Sequence, residues 1–228
     1  MNEPISVDWV TIDERVFTLL PSLSRMSQFD TRSTLLFRVR DARDQAAWSE
    51  FVDLYMPLVF SYALKMGLQE ADAADAAQET LVLVVRAIPS FQYDSQKGSF
   101  RGWLLTILRN QLRREANKAK HQTPGSGDTR ILQILQEQPG RDELDAWERE
   151  YQLRLFHWAA NRIRNLFRES TWQAFWSTTV DGVSISSAAE QLGISEGAVY
   201  IARSRVLARI RQEIDQVESW CEYAPEHR

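Results

Sequence analysis

LGISEGAVYIARSRV, Leu192 to Val206, is the stretch on which the fold of this chain turns. A short apolar run enters a glycine, a serine follows, and a helix with arginines begins. Two helices crossing at a tight turn need a small residue at the crossing, a residue tolerant of positive φ in the turn, and apolar side chains that seal the pair. Ala189, Gly193 and Val199 stand at the spacing such a pair requires, and Leu192 and Ile194 flank the glycine as plugs. Ser195 can cap the second helix, which then turns Tyr200, Arg203, Ser204 and Arg205 outward. This is helix-turn-helix spacing. A basic helix of this kind fits the major groove of DNA, its N-terminal half facing base edges. An ordinary helical hairpin with a glycine turn is the other reading.

The rest of the chain sets that motif in an unexpected background. The 228 residues suit one or two domains, 44% of them are hydrophobic, and the formal net charge is −4. The eight tryptophans are expected mostly as buried anchors. A single cysteine, Cys221, excludes an intramolecular disulfide and a multi-cysteine zinc site, and His121, His157 and His227 are too scattered for a metal cluster. No cofactor is expected. No apolar run approaches the roughly 20 residues of a membrane span, and no signal-peptide pattern opens the sequence. A cytoplasmic location is therefore expected.

The net charge conceals segregation. Asp41 to Thr80 holds eight acids against two bases, whereas Arg101 to Lys120 holds six bases against one acid. Glu137 to Glu150 returns to six acids against two bases, and Ser195 to Arg211 carries four arginines and one acid. Solvated helix faces would account for this, but so would surfaces of opposite charge meeting different partners.

Helical periodicity begins at Asp44, with Trp48, Phe51, Val52, Tyr55, Val59, Tyr62 and Met66 at steps of three and four. Pro57 is expected to kink that helix or mark a joint, and Gly67 to end it. A second helix is predicted from about Gln69 to Ile88, with Ala77, Leu81, Val84, Val85 and Ile88 apolar, stopped by Pro89. After the loop SFQYDSQKGS, Ser99 can cap a third helix carrying Phe100, Trp103, Leu104, Ile107, Leu108 and Leu112 on one side. HQTPGSGDTR, His121 to Arg130, is the best linker. A second helical block starts near Asp142, with Trp147, Tyr151, Leu155, Trp158, Ile163 and Leu166 as its stripe. Ser170 can cap a short helix to Val180. Strand signals are nearly absent. The expected fold is all-α: two helical domains joined by a flexible linker, the second ending in the helix-turn-helix.

Two surfaces of the first block carry chemistry. Asp72, Asp75 and Glu79, in DAADAAQET, share one face of a helix kept smooth by alanines, which suits a basic partner. On the third helix Arg109 and Arg113 share a face, as do Asn110 and Arg114. With Phe91 and Tyr93 in the preceding loop, that face could hold single-stranded DNA, phosphates on arginines and a base in a pocket.

Taken together, DAADAAQETLVLVVRAIPSF (Asp72–Phe91), GSFRGWLLTILRNQLRRE (Gly98–Glu115) and SISSAAEQLGISEGAVYIARSRVLARIR (Ser184–Arg211) resemble a sigma-70 family RNA polymerase sigma factor of the short extracytoplasmic-function type. FQYDSQKGSFRGW, Phe91 to Trp103, is similar to the corresponding stretch of planctomycete-like members. The resemblance implies a variable extension over 1–34, sigma region 2 over 35–120, a linker over 121–141, sigma region 4 over 142–215 and a tail over 216–228. Met26 is a candidate start, since the recognisable pattern follows it. The family is not enzymatic by itself, and no nucleophile–base set stands out here.

The resemblance also assigns roles. Asp72, Asp75, Gln78 and Glu79 would dock on the coiled coil of the polymerase β′ subunit. Tyr93, Asp94, Lys97, Arg101, Trp103, Arg109, Asn110, Arg113 and Arg114 would bind and help open the −10 promoter element. Ser195, Glu196, Tyr200, Arg203 and Arg205 would read the −35 element, with the second domain against the β flap. An anti-sigma factor clamping both domains is the expected regulator. The recognition helix departs from the family's frequent G-T-V-K-S-R pattern: Ala198, Tyr200 and Ala202 replace its Thr, Lys and first Arg. Ala76 and Ala77 stand where Leu-Val is frequent. A stand-alone helix-turn-helix regulator would explain Ser184–Arg211 but not the acidic face or the Gly98–Glu115 helix.

Overall fold

The computed structural model describes residues 35–91, 100–122, 135 and 137–218. The expectations placed on residues 1–34, on the loop 92–99, on most of the linker and on the tail from 219 lie outside them. Eight α-helices and no strand are present among the described residues: α1 (Leu35–Arg38), α2 (Gln45–Lys65), α3 (Glu70–Ala87), α4 (Phe100–Gln122), α5 (Arg141–Ile163), α6 (Glu169–Thr179), α7 (Ile185–Leu192) and α8 (Glu196–Glu218). Short 3-10 turns follow α3 at Ile88–Ser90 and α5 at Arg164–Leu166.

The described chain divides into two compact units, and the division falls inside α5, between Arg154 and Leu155. The sequence reading instead gave α5, from Asp142, entirely to the second domain. The reason for the difference is the character of the helix's first half. Trp147 and Tyr151 are buried, and acids alternate with them. Such a face finds its partners on the first unit.

In that first unit α2 begins because Asp44 accepts the amide of Ala47 at 2.9 Å. Arg38 holds the same carboxylate with two donors, at 2.9 and 3.0 Å. Phe51, Leu54, Leu58 and Val59 of α2 are fully buried, as are Ala73, Ala77 and Val84 of α3 and Leu104 and Leu108 of α4. The helix α2 runs on through Pro57, where the sequence suggested a joint. An interior proline costs about 3 kcal/mol, and the buried side chains on both sides of it offset that. Gly67, at φ 91°, follows the helix end.

The second unit builds its core from Phe156, Ala159, Ala160 and Ile163 of α5, Trp172 and Phe175 of α6, and Val199, Val206 and Ile210 of α8. Arg168, not Ser170, occupies the cap position of α6, and no side chain caps it. Glu169 stands in the first turn instead, where a carboxylate meets the positive end of the helix dipole.

Between α7 and α8 the turn is tight. Ser184 caps α7 through the amide of Ser187. Gly193 sits at φ 64°, ψ 33°, the left-handed region. The amide of Ile194 reaches back to Ala189 at 3.0 Å, and Ser195 Oγ accepts the amide of Ala198 at 3.2 Å. Ala174, Ala189, Val199 and Ala202 form the seam, with Ile185, Leu192 and Ile194 packed on it. A Cβ at Gly193 would meet nothing within 4 Å, so the cost of substitution is backbone strain alone. Gly193→Ala is expected to lower the stability of this unit by about 1–2 kcal/mol. Thermal unfolding of the full chain measures this, and an unshifted transition would contradict the role given to the turn.

Candidate nucleic-acid interface and acidic docking face

The α3 helix has two unlike sides. Ala73, Ala76, Ala77 and Thr80 are buried, and Thr80 Oγ1 donates to the carbonyl of Ala76 at 2.7 Å. Small side chains let the neighbouring helices approach. Asp72, Asp75, Gln78 and Glu79 point away from that side, and all four are exposed. Asp72 and Asp75 make no ion pair among the described residues. Glu79 differs, because it accepts a hydrogen bond from the buried Gln111 of α4. Val82 and Val85 continue the exposed face at 47% and 43% exposure. Val85 is apolar but does not join the buried line of this helix. At 100° per residue it lies a quarter-turn off the line Ala77–Leu81–Val84–Ile88 and falls into register with Gln78 and Val82.

The cations and aromatics of α4 divide between fold and solvent. Trp103 is half-buried, its ring 4.5 Å from Phe91 and 5.4 Å from Phe100. Arg101 pairs with Glu148 at 2.7 Å and lies over the ring of Tyr151 at 4.4 Å. Arg109 is only 5% exposed. It is held by Glu143, by the hydroxyl of Tyr62 at 3.1 Å and by the carbonyl of Glu137 at 2.8 Å. Two arginines expected at DNA are thus turned to the first half of α5, and Arg109 is withdrawn into the unit. Asn110 and Arg114 are exposed, and Arg113 is half-exposed, its guanidinium donating to Asn110 Oδ1 at 2.8 Å. Tyr93, Asp94 and Lys97 lie outside the described residues.

Sequence reasoning missed the partners of those arginines. Trp147 lies four residues after Glu143, and Glu150 and Tyr151 lie three and four after Trp147, an acidic and aromatic face that matches a basic and aromatic one. Trp147 donates its indole N–H to the carbonyl of Arg101 at 3.1 Å, and Tyr151 stacks on Tyr55. Tyr62 donates to Glu143. Burial, and then this hydrogen bond to a carboxylate, push its phenol well above the ordinary range, so it stays protonated as a donor.

Glu150 closes the same contact. It accepts from Lys65 at 2.9 Å, from Ser61 at 3.2 Å and from Arg154 at 2.9 Å. Burial alone would raise its pKa, but the Lys65 hydrogen bond and the charges of Lys65 and Arg154 carry it below the ordinary value. A depressed carboxylate contributes stability that is present above its unfolded pKa, about 4.3, and lost as pH falls through the lower folded value. The first unit is therefore expected to weaken on acidification below about pH 5, and Glu150→Gln to flatten that dependence. Unfolding curves at pH 7, 5 and 4 check this. Equal slopes in both proteins would contradict it.

Ser195, just before α8, and Glu196, Tyr200 and Arg205 on it are exposed. Arg203, expected to face outward, is half-buried, and its Nε is buried without a hydrogen-bond partner. The reason is its place beside Ala202 and Val206, which face the core. Among the described residues, no group of histidine, cysteine, aspartate and glutamate could hold a metal, and no helix is long and apolar enough to cross a membrane.

Residues 51–122, which span most of α2 through α4, match the model of sigma-70 region 2. The RNA polymerase sigma factor NccH of Alcaligenes xylosoxydans xylosoxydans is 27% identical over 169 residues, 73% of this chain and 86% of that protein. The ECF RNA polymerase sigma factor RpoE of Cereibacter sphaeroides is 31% identical over 77 residues, 34% of this chain and 41% of that protein. The ECF RNA polymerase sigma factor SigE of Mycolicibacterium smegmatis is 36% identical over 70 residues, 29% of this chain and 26% of that protein.

Proposed function

We propose that the chain is a sigma-70 family RNA polymerase sigma factor of the extracytoplasmic-function branch, as its match to sigma-70 region 2 and its similarity to such factors support, and that its surfaces divide the work of starting transcription. It binds core RNA polymerase and directs promoter-specific initiation, and polymerase supplies the chemistry.

The exposed face of α3, with Asp72 and Asp75 unpaired among the described residues and Val82 and Val85 beside them, docks on the β′ coiled coil. An acidic face with an apolar continuation suits a basic partner surface with an apolar strip. Asn110, Arg113 and Arg114 of α4, with the loop that holds Tyr93, Asp94 and Lys97, bind the −10 element and help to open it. The α7–α8 pair reads the −35 element in duplex form, and the second unit rests on the β flap. An anti-sigma factor that clamps both domains and covers their exposed charged faces regulates access to them. The factor works where polymerase does, in the cytoplasm.

One observation carries this reading. Adjacent helices of one unit, α3 and α4, present an acidic face at Asp72 and Asp75, which make no ion pair among the described residues, and a basic face at Arg113 and Arg114. A chain of net charge −4 needs little bulk positive charge when its partner contributes DNA affinity. The free factor is accordingly expected to bind duplex promoter DNA weakly at physiological salt. Co-purification of the tagged full chain with core polymerase tests the reading. Stoichiometric recovery of the polymerase subunits is expected, and a folded chain that recovers none would contradict it.

A further inference from the structure

The groove-facing start of α8 is chemically odd for a helix that meets a polyanion. Its exposed side carries Glu196, Gly197, Tyr200, Ile201, Ser204 and Arg205. Tyr200 is 57% exposed and Ile201 54%. Neither packs into the seam, which is made by Val199 and Ala202 on the opposite side. A β-branched residue on a solvated helix face gains no burial and gives up helix propensity, so the fold supplies no reason for Ile201.

Gly197 points the same way. It stands one turn before Tyr200 and Ile201, on their face, in the first turn of α8. A Cβ at this position would have only Ser195 Oγ nearby, at 3.9 Å. Nothing within the protein requires the missing side chain. Its bare backbone leaves this face open to close approach from outside.

The surrounding charges say which part of DNA approaches. The exposed Glu196 carboxylate disfavours a phosphate at the first turn. Arg205, one turn beyond Ile201, is exposed and makes no ion pair among the described residues, so it suits a phosphate. The first turn then faces base edges. In the major groove the apolar feature of those edges is the C5-methyl group of thymine.

We propose that Ile201 and Tyr200 are specificity-determining residues that read thymine methyl groups in the −35 element, with Gly197 admitting the groove to contact distance. This rests on the reading of α7–α8 as the −35 module. Against the family's frequent pattern, Tyr200 stands in place of a lysine. The structure gives it, with Ile201, an apolar role instead.

The test uses holoenzyme assembled from the full chain and core polymerase, on a promoter chosen by run-off transcription. Each thymine of the −35 element is replaced by deoxyuridine, which lacks only the methyl group. Wild-type holoenzyme is expected to lose about fourfold in binding at one or two positions, a methyl group's worth of burial each. Ile201→Ser and Tyr200→Ala are expected to bind more weakly and to show no further loss at the thymine each residue reads. Since both side chains are exposed, unfolding curves should match wild type. Deoxyuridine tolerated at every position, while Arg205→Ala still weakens −35-dependent binding, would overturn the methyl reading and leave the −35 module standing. A sensitivity to deoxyuridine that persists in both variants would overturn the assignment to these residues. Indifference to scrambling the whole −35 element would remove the module itself, and the proposal with it.

Discussion

Replacing Asp72 and Asp75 together by arginine is expected to abolish binding of core RNA polymerase while leaving the protein folded. Both carboxylates are exposed, and neither makes an ion pair among the described residues, so no internal contact is broken. Asp72 lies in the first turn of α3, where its charge favours the helix dipole by about 0.3–1 kcal/mol. That sets the scale of the stability loss. Against a basic partner the same change converts two attractions into two repulsions, and like charges placed together across an interface cost several kcal/mol. A loss of affinity of at least about a hundredfold follows. Glu79 is a poorer choice for this experiment. Its carboxylate holds the buried Gln111, and reversing it would disturb the α3–α4 junction as well as the surface. Pull-down with core polymerase, beside an unfolding curve, reads both quantities. Unchanged pull-down would show that the acidic face is merely solvated.

Arg109→Met is expected to lower the stability of the first unit by about 3 kcal/mol, in the range for removing one partner of a buried pair. The guanidinium satisfies the Glu143 carboxylate, the Tyr62 hydroxyl and the Glu137 carbonyl at once. Methionine fills the stem's volume and answers none of them. Glu143 is only partly exposed, at 23% of its side chain, so water restores part of the loss. Arg114→Ala, at an exposed position five residues on, is expected to change stability by less than about 0.5 kcal/mol. The contrast separates two roles that the sequence treats alike. A stable Arg109→Met protein that fails only in DNA binding would return Arg109 to the DNA surface and break the account of α5. Denaturant unfolding of both variants decides.

Legibility differed by element. The helix class and the α7–α8 turn were readable, because both rest on local rules. Gly193 takes the left-handed backbone that its place after Leu192 demands, and Ser184 and Ser195 cap as serines do. Asp72 and Asp75 emerged from spacing alone, because alanines on the opposite face leave only one side for charge. Where reading failed, the decisive contact was distant in sequence. Arg101 and Arg109 look like solvent-facing cations until Glu148 and Glu143, 47 and 34 residues on, arrive on α5. Pro57 looked like a break, but propensity yields to burial on both sides of it. Ser170 looked like a cap because serine favours caps, yet the helix starts earlier, at Glu169, with Arg168 in the cap position. Ile201 was passed over because an isoleucine in a helix is ordinarily counted as core, and only its exposure sets it apart.

The central claim is that this chain turns core polymerase into a promoter-selective enzyme. Run-off transcription from a genomic promoter library, by core polymerase with and without the full chain, addresses it most directly. The account predicts discrete new transcripts that require the chain, share a −10 and a −35 sequence, and vanish with the Asp72→Arg, Asp75→Arg double variant. A folded chain that assembles with core polymerase and yields no promoter-specific transcript would contradict it.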